Sequence, residues 1–215
     1  MLGGVFGGFP PEALAFYEGL EADNSKSYWE AHRDVYEESV RDPMEELLVE
    51  CQAEFGAGKV FRPYRDVRFS KDKKPYKTAC GALLVPDGVE HGGHYVELSS
   101  QGLLVGVGAW HFEPPVLARV RAAIDDERRG EELASIAASL EAAGMPLYRP
   151  ELKTAPRGYP RDHPRIDLLR RKRFAAMARL APASWLHTRE ALDRVTALWR
   201  TARPLSDWLA RAGAG

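Results

Sequence analysis

The sequence predicts an α+β fold: a central antiparallel sheet with helices from the N- and C-terminal parts of the chain packed on it, in one domain spanning residues 1–215. Three observations predict it. Helical periodicity governs the chain up to about Gly56 and again after Glu113. Short β-like runs cluster between them. Links of hairpin length join antiparallel neighbours, whereas parallel strands need long crossovers.

Taken in order, Pro10-Pro11 and Glu12 open a helix carrying Leu14, Phe16, Tyr17 and Leu20. Asp23, Asn24 and Ser25 are capping residues for the next helix. In it, Tyr28, Trp29, His32, Val35, Tyr36 and Val40 recur at helical spacing. Pro43 costs a backbone hydrogen bond inside a helix, so with Asp42 before it the expectation is a third helix opening there and ending near Gly56. The β-like runs are Val60-Phe61, Val67-Arg68-Phe69, Gly81–Val85, His94–Leu98 and Leu103–Val107, which place the sheet between residues 59 and 108. Ser99–Gly102 is the hairpin link, and Gly106 and Gly108 suit a bulge or a close backbone approach.

Pro114-Pro115 opens a helix that turns Val116, Leu117, Val120 and Ile124 inward. Glu131–Ala143 is another, closed by Gly144. Pro156–Pro160 is a loop, and a helix with Ile166, Leu168 and Leu169 follows Pro164. Phe174–Leu180 fits either a strand or an extension of that helix. Thr188 caps a last helix bearing Leu192, Val195, Leu198 and Trp199, which Pro204 kinks or breaks. Strict β-α alternation, Gly-x-Gly-x-x-Gly and Gly-x-x-x-x-Gly-Lys-Ser/Thr are all missing, so the common nucleotide folds lose support.

At 45% hydrophobic and 28% charged residues, the 215-residue chain has the composition of a soluble globular protein. No apolar run approaches membrane-spanning length, and the first ten residues lack the basic region of a signal peptide. Cys51 and Cys80 have no partner at metal-ligand spacing. They read as reduced, buried, unjoined thiols of a cytoplasmic protein.

Charge is segregated. Residues 61–77 hold seven cations against Asp66 and Asp72, and residues 149–173 hold nine against Glu151, Asp162 and Asp167, in a chain whose net charge is −1. Such segregation suggests a surface built to meet an anion. Guanidinium groups grip phosphate or carboxylate bidentately and ammonium groups add charge. The candidate anion-binding residues are Arg62, Arg65, Arg68, Lys73 and Lys77, with Arg157 and His163 joining them from the second segment to form one site. Phe61, Tyr64 and Phe69 are interleaved with the arginines, which edge protection of a strand does not require.

Arg170–Arg173 is read as a solvated helix face, while Asp162-His163-Pro164 suits a helix start with exposed N–H groups. A small anionic ligand is the expected partner. A nucleic-acid or protein-interaction module whose two basic segments form one stripe is an alternative, its nucleic-acid form disfavoured by a pI of about 6.6, and an internal pairing of the arginines with Asp66, Asp72, Glu30 and Asp34 is the structural one. His91, His94 and His111 lack specific zinc-ligand geometry, so no metal or cofactor is expected. Glu97 and Glu113 as acid and base carry little weight because nothing pairs them, and Ser70-Lys71 as a nucleophile pair because adjacent side chains on a strand point apart. Tyr28, Trp29 and Trp110 suit a core better than a pocket.

Phe61–Thr78 resembles the signature of a bacterial family of conserved hypothetical proteins, domain of unknown function 2461. Asp23–Glu37, Gly92–Leu98 and Leu152–Arg170 resemble further segments of that family, and the likeness runs over about residues 6 to 210. Phe174–Leu180 departs from it in being less β-branched. The resemblance implies an α+β domain. It supplies no catalytic residue.

Overall fold

A computed structural model describes residues 5–69, 71–89 and 92–214. Five strands, β1 (Ala57–Val60), β2 (Ala79–Val85), β3 (Gly93–Ser99), β4 (Gly102–Ala109) and β5 (Phe174–Leu180), form one antiparallel sheet in the order β1-β2-β3-β4-β5. The β1–β2 register pairs Ala57 with Val85 and Val60 with Ala82. The fold is therefore α+β, with helices on either side of the strands in the chain. The sheet is not confined to residues 59–108, however. Phe174–Leu180 is its fifth strand and not a helical extension. Its Ala, Met and Arg residues have modest strand propensity, and burial of Phe174, Ala175, Ala176 and Ala178 overrides that preference. Val67–Phe69 is not a strand; it lies in a loop.

The chain divides into two compact units. The first comprises residues 1–87, 95–105 and 179–197. It contains α1 (Pro11–Ala22), α2 (Lys26–Ala31), α3 (Arg33–Tyr36), a π turn (Glu37–Arg41), α4 (Asp42–Phe55) and most of α8 (Glu190–Thr201). Ser25 caps α2 by accepting from the Tyr28 N–H at 3.1 Å. The helix α4 opens at Asp42-Pro43 and is capped by Gly56, as the sequence suggested, but no break precedes it. The chain stays helical from Arg33 to Phe55, and the π turn lets the Asp42 N–H reach back five residues to the Glu37 carbonyl just before the proline removes a donor. Phe16, Tyr17, Leu20, Met44, Leu47 and Phe55 fill this unit's core. Phe9 is tied down by its N–H to Leu186 O and its carbonyl to His187 Nδ1, at 2.9 and 2.7 Å.

The second unit comprises residues 88–94, 106–178 and 198–215. In it α5 (Pro114–Asp125), α6 (Glu127–Ala142) and α9 (Arg203–Gly213) pack together. Val116, Val120, Leu133, Leu140, Leu205 and Trp208 are buried there. Asp126 starts α6 four residues earlier than the sequence suggested, by accepting from the Arg129 N–H. The helix after Pro164, α7 (Ile166–Leu169), is a single turn.

Arg170–Arg173 is accordingly no solvated helix face. Arg170 donates to Leu152 O at 2.6 Å, Arg171 to Tyr148 O, and Arg173 lies 4.5 Å from the Trp110 ring centroid and 3.2 Å from Glu151. Arg171 is half-buried, and desolvation lowers its pKa. The carbonyls left open by the loop at Tyr148–Leu152 are what these guanidiniums satisfy.

Cys51 and Cys80 are both buried and no disulfide joins them. Burial pushes the Cys80 thiol up to about 12, against the opposing pull of a hydrogen bond with Tyr36. Because the folded value exceeds the unfolded one, this contribution to stability is intact below about pH 9 and is lost as pH rises towards 12. Tyr17, Tyr36 and Tyr95 shift in the same direction, each chiefly through burial. Two outcomes are expected. Thiol titration after denaturation without reductant should count two groups. In the folded protein, Cys80 should resist alkylation at pH 9, and a rate matching that of a small-molecule thiol would contradict its burial.

Candidate functional site

The basic segment folds as a closed loop of the first unit. Tyr64 and Tyr76 pair as an antiparallel bridge at its neck, and Arg65 N–H to Pro75 O and Lys77 N–H to Pro63 O, both 2.8 Å, seal it. Asn24 clamps the neck from outside: its amide donates to Tyr76 O at 3.2 Å and accepts from the Tyr76 N–H at 3.1 Å. The Trp29 ring stacks on Tyr76, with centroids 4.4 Å apart and planes 8° apart. The Asn24 and Trp29 motif and the arginine motif, distant in the chain, are thus one structural feature.

Within the loop both aspartates are turn-makers as well as counter-ions. Asp66 accepts from the Arg68 N–H and from its guanidinium at 3.2, 3.0 and 2.7 Å. Asp72 accepts from Arg65 at 2.7 Å and from the Lys74 N–H at 3.0 Å. Their arginine partners hold both carboxyls below the usual range. Lys73 donates to Val67 O and Lys77 to Arg62 O. Phe69 stands almost fully exposed, and Ser70 lies outside the described residues.

Below the neck lies a cleft of about 500 Å³ lined by Arg65, Asp72, Lys74, Lys77, Phe61, Tyr95 and Glu97, among others. Strand alternation builds its far wall. On β3, His94, Val96 and Leu98 are buried, so Tyr95 and Glu97 share the opposite, more open face. The Tyr95 hydroxyl donates to Glu97 Oε2 at 2.5 Å. Burial first, then this bond, raises the Tyr95 pKa and keeps the phenol protonated. Gly81 makes the arrangement fit, since a Cβ there would lie 2.5 Å from the Tyr95 oxygen. Lys77 Nζ sits 5.6 Å from the centroid of Phe61, whose ring is 6.4 Å from that of Tyr95.

Of the residues expected at an anion site, Arg65 and Lys77 line this cleft. Arg62 lines a neighbouring hollow of about 280 Å³ with Trp29, Arg33, Arg41 and Tyr64. Arg68 and Lys73 lie on the loop's outer part, paired with Asp66 and Val67 O. Arg157 and His163 belong to the second unit. Arg157 is exposed there. His163 is buried and accepts the Arg165 N–H on Nδ1, which leaves Nε2 protonated to donate to Asp125 at 3.1 Å. With both ring nitrogens engaged, His163 has no donor left for a ligand.

Sequence spacing did not reveal that Lys74, Tyr95 and Glu97 line one cleft with Arg65. The spacing of Tyr95 and Glu97, two apart on a predicted strand, was the available signal. Glu97 and Glu113 fall in different units. His111 approaches Glu113 at 3.5 Å on the surface, His94 packs against the Trp199 ring, and His91 is outside the described residues. Among the described residues no group of three or more His, Cys, Asp or Glu side chains is placed to hold a metal ion. No helix among them is long and apolar enough to cross a membrane.

Fold and cleft together define a class: an α+β protein whose basic loop overhangs a cleft walled by aromatic and charged side chains. A family model described as conserved hypothetical protein (DUF2461) matches residues 12–208, and the chain belongs to that family. No curated protein and no solved structure matches the chain.

Proposed function

We propose that the first unit binds a small phosphorylated or carboxylated ligand in the cleft beneath the basic loop. Arg65, Lys74 and Lys77 contact the anion, and Phe61 and Tyr95 face its apolar part. Arg62, Arg68 and Lys73 add to the attracting field. One observation carries this reading: three cations converge on one cleft, where Asp72 is the carboxylate that pairs with Arg65 and no side-chain ion pair occupies Lys74 or Lys77 among the described residues. Gathered like charges repel, and a bound anion relieves that repulsion. A cytoplasmic setting, where both thiols stay reduced, accords with this role.

A second reading is favoured by the Arg65–Asp72 and Arg68–Asp66 pairs: the arginines shape the loop and bind nothing. Thermal unfolding in low salt, where screening is weakest, separates the two. A ligand bound only by the native state stabilises it by about 2.7 kcal/mol at a hundredfold excess over Kd. That corresponds to about 5–10 °C for a chain of this size. Phosphate is expected to produce such a rise, Lys77→Ala and Arg65→Ala to diminish it, and Lys172→Ala, an exposed cation of the other unit, to leave it intact. Absence of any rise with phosphate or polyphosphate selects the salt-bridge reading.

A further inference from the structure

The cleft is cationic on its loop side and carries a carboxylate on its strand side, and a simple anion uses only the first. Glu97 accepts from Tyr95 through Oε2, and no hydrogen bond to Oε1 is made among the described residues. The phenol cannot neutralise it, because Tyr95 remains protonated and donates a hydrogen bond without giving up charge. The Tyr95 hydroxyl satisfies one oxygen of Glu97 but not its charge, and a carboxylate charge in a partly enclosed site is stabilised when a cation reaches it. Purely anionic ligands would place further negative charge opposite it.

We infer that the ligand is amphoteric: a small molecule whose phosphate or carboxylate meets Arg65, Lys74 and Lys77, and whose ammonium meets Glu97. This inference rests on the anion-binding reading proposed above. The Phe61 and Tyr95 rings, 6.4 Å apart, contact the short carbon skeleton between the two charged ends. The cleft volume of about 500 Å³ falls within the range of small-molecule sites. Of its five charged side chains, Asp72 is already paired with Arg65, so the cleft offers a ligand the cations Arg65, Lys74 and Lys77 at one end and the carboxylate of Glu97 at the other, a match that neither a bare anion nor a bare cation achieves. Tyr95 is the positioning residue: its bond to Oε2 orients the carboxylate and leaves Oε1 to receive the ammonium. Gly81 leaves the space in which that pair forms.

The test is calorimetric titration of the full chain with two probes that differ only at one end, 2-aminoethyl phosphate and ethyl phosphate. A charge-assisted hydrogen bond to Glu97 should make the amine-bearing probe bind about tenfold more tightly, or better. In Glu97→Gln that preference should vanish while ethyl phosphate binds at least as well as before. Tyr95→Phe, which leaves the charge but removes its orienting bond, should reduce the preference partway and serves if the Gln variant does not fold. Equal binding of the two probes by the unaltered protein overturns the amphoteric ligand and leaves the anion site standing. Failure of both probes to bind overturns the anion site, and this inference with it.

Discussion

Trp29→Ala is expected to lower the unfolding free energy by about 3–5 kcal/mol, the range for removing a large buried aromatic side chain. The ring is 4% exposed and meets four others: Tyr76 at 4.4 Å, Tyr36 at 4.8 Å, and Phe16 and Tyr64 at 5.9 Å between centroids. Its loss opens a cavity between α1, α2 and the loop neck, and Tyr76 loses the surface on which it stacks. The same variant should therefore lose most of its stabilisation by phosphate, although Trp29 is not among the lining residues of the cleft.

Asn24→Ala separates the two effects. It deletes both hydrogen bonds to the Tyr76 backbone, at a cost of about 1–3 kcal/mol, and leaves the aromatic cluster in place. If the loop is held for function by this clamp, Asn24→Ala should weaken phosphate binding more than its effect on stability would suggest. Urea unfolding with and without phosphate measures both quantities. A Trp29→Ala protein whose phosphate response is undiminished would show that docking of the neck does not position the cations.

Gly108→Ala should be the most damaging single-methyl change in the second unit. Gly108 has φ +122°, a conformation that L side chains rarely adopt, and a Cβ there would lie 2.1 Å from the Phe174 carbonyl oxygen. Backbone cannot swing aside as a side-chain end can. The clash must be relieved by moving β4 away from β5 at that point, and strain and lost pairing together should cost on the order of 3 kcal/mol.

Gly144→Ala is the comparison. Its φ is also positive, at +76°, but nothing lies within 4 Å of the added atom, so the cost should be about 1 kcal/mol. Equal losses in the two variants, measured by chemical denaturation, would mean that close strand approach does not set the requirement for glycine at position 108. Amide exchange should locate the Gly108→Ala damage in Phe174–Leu180.

What the sequence determined alone was what neighbouring residues decide among themselves. The Ser25 cap, the α5 start at Pro114, the Ser99–Gly102 link and the buried alternation of β3 all depend on contacts within a few positions, so spacing and residue type sufficed. Family membership was legible for the same reason, through contiguous motifs. The gathering of cations in residues 61–77 was also visible, but its division was not. Whether Arg65 faces a cleft while Arg68 points outward depends on how Asp66 and Asp72 turn the loop.

Only the tertiary structure decided the rest. Phe174–Leu180 became a strand through burial and not through propensity. Arg171 was withdrawn from solvent by an unsatisfied carbonyl at Tyr148, and His163 was committed to Asp125, 38 residues away. Asn24 found Tyr76 across 52 residues, and Glu97 came to share a cleft with Lys77 because β3 and the basic loop both line it. Local periodicity records which face of an element is apolar. It holds no record of which distant element that face will meet, and here that meeting brought Glu97 into one cleft with Arg65, Lys74 and Lys77.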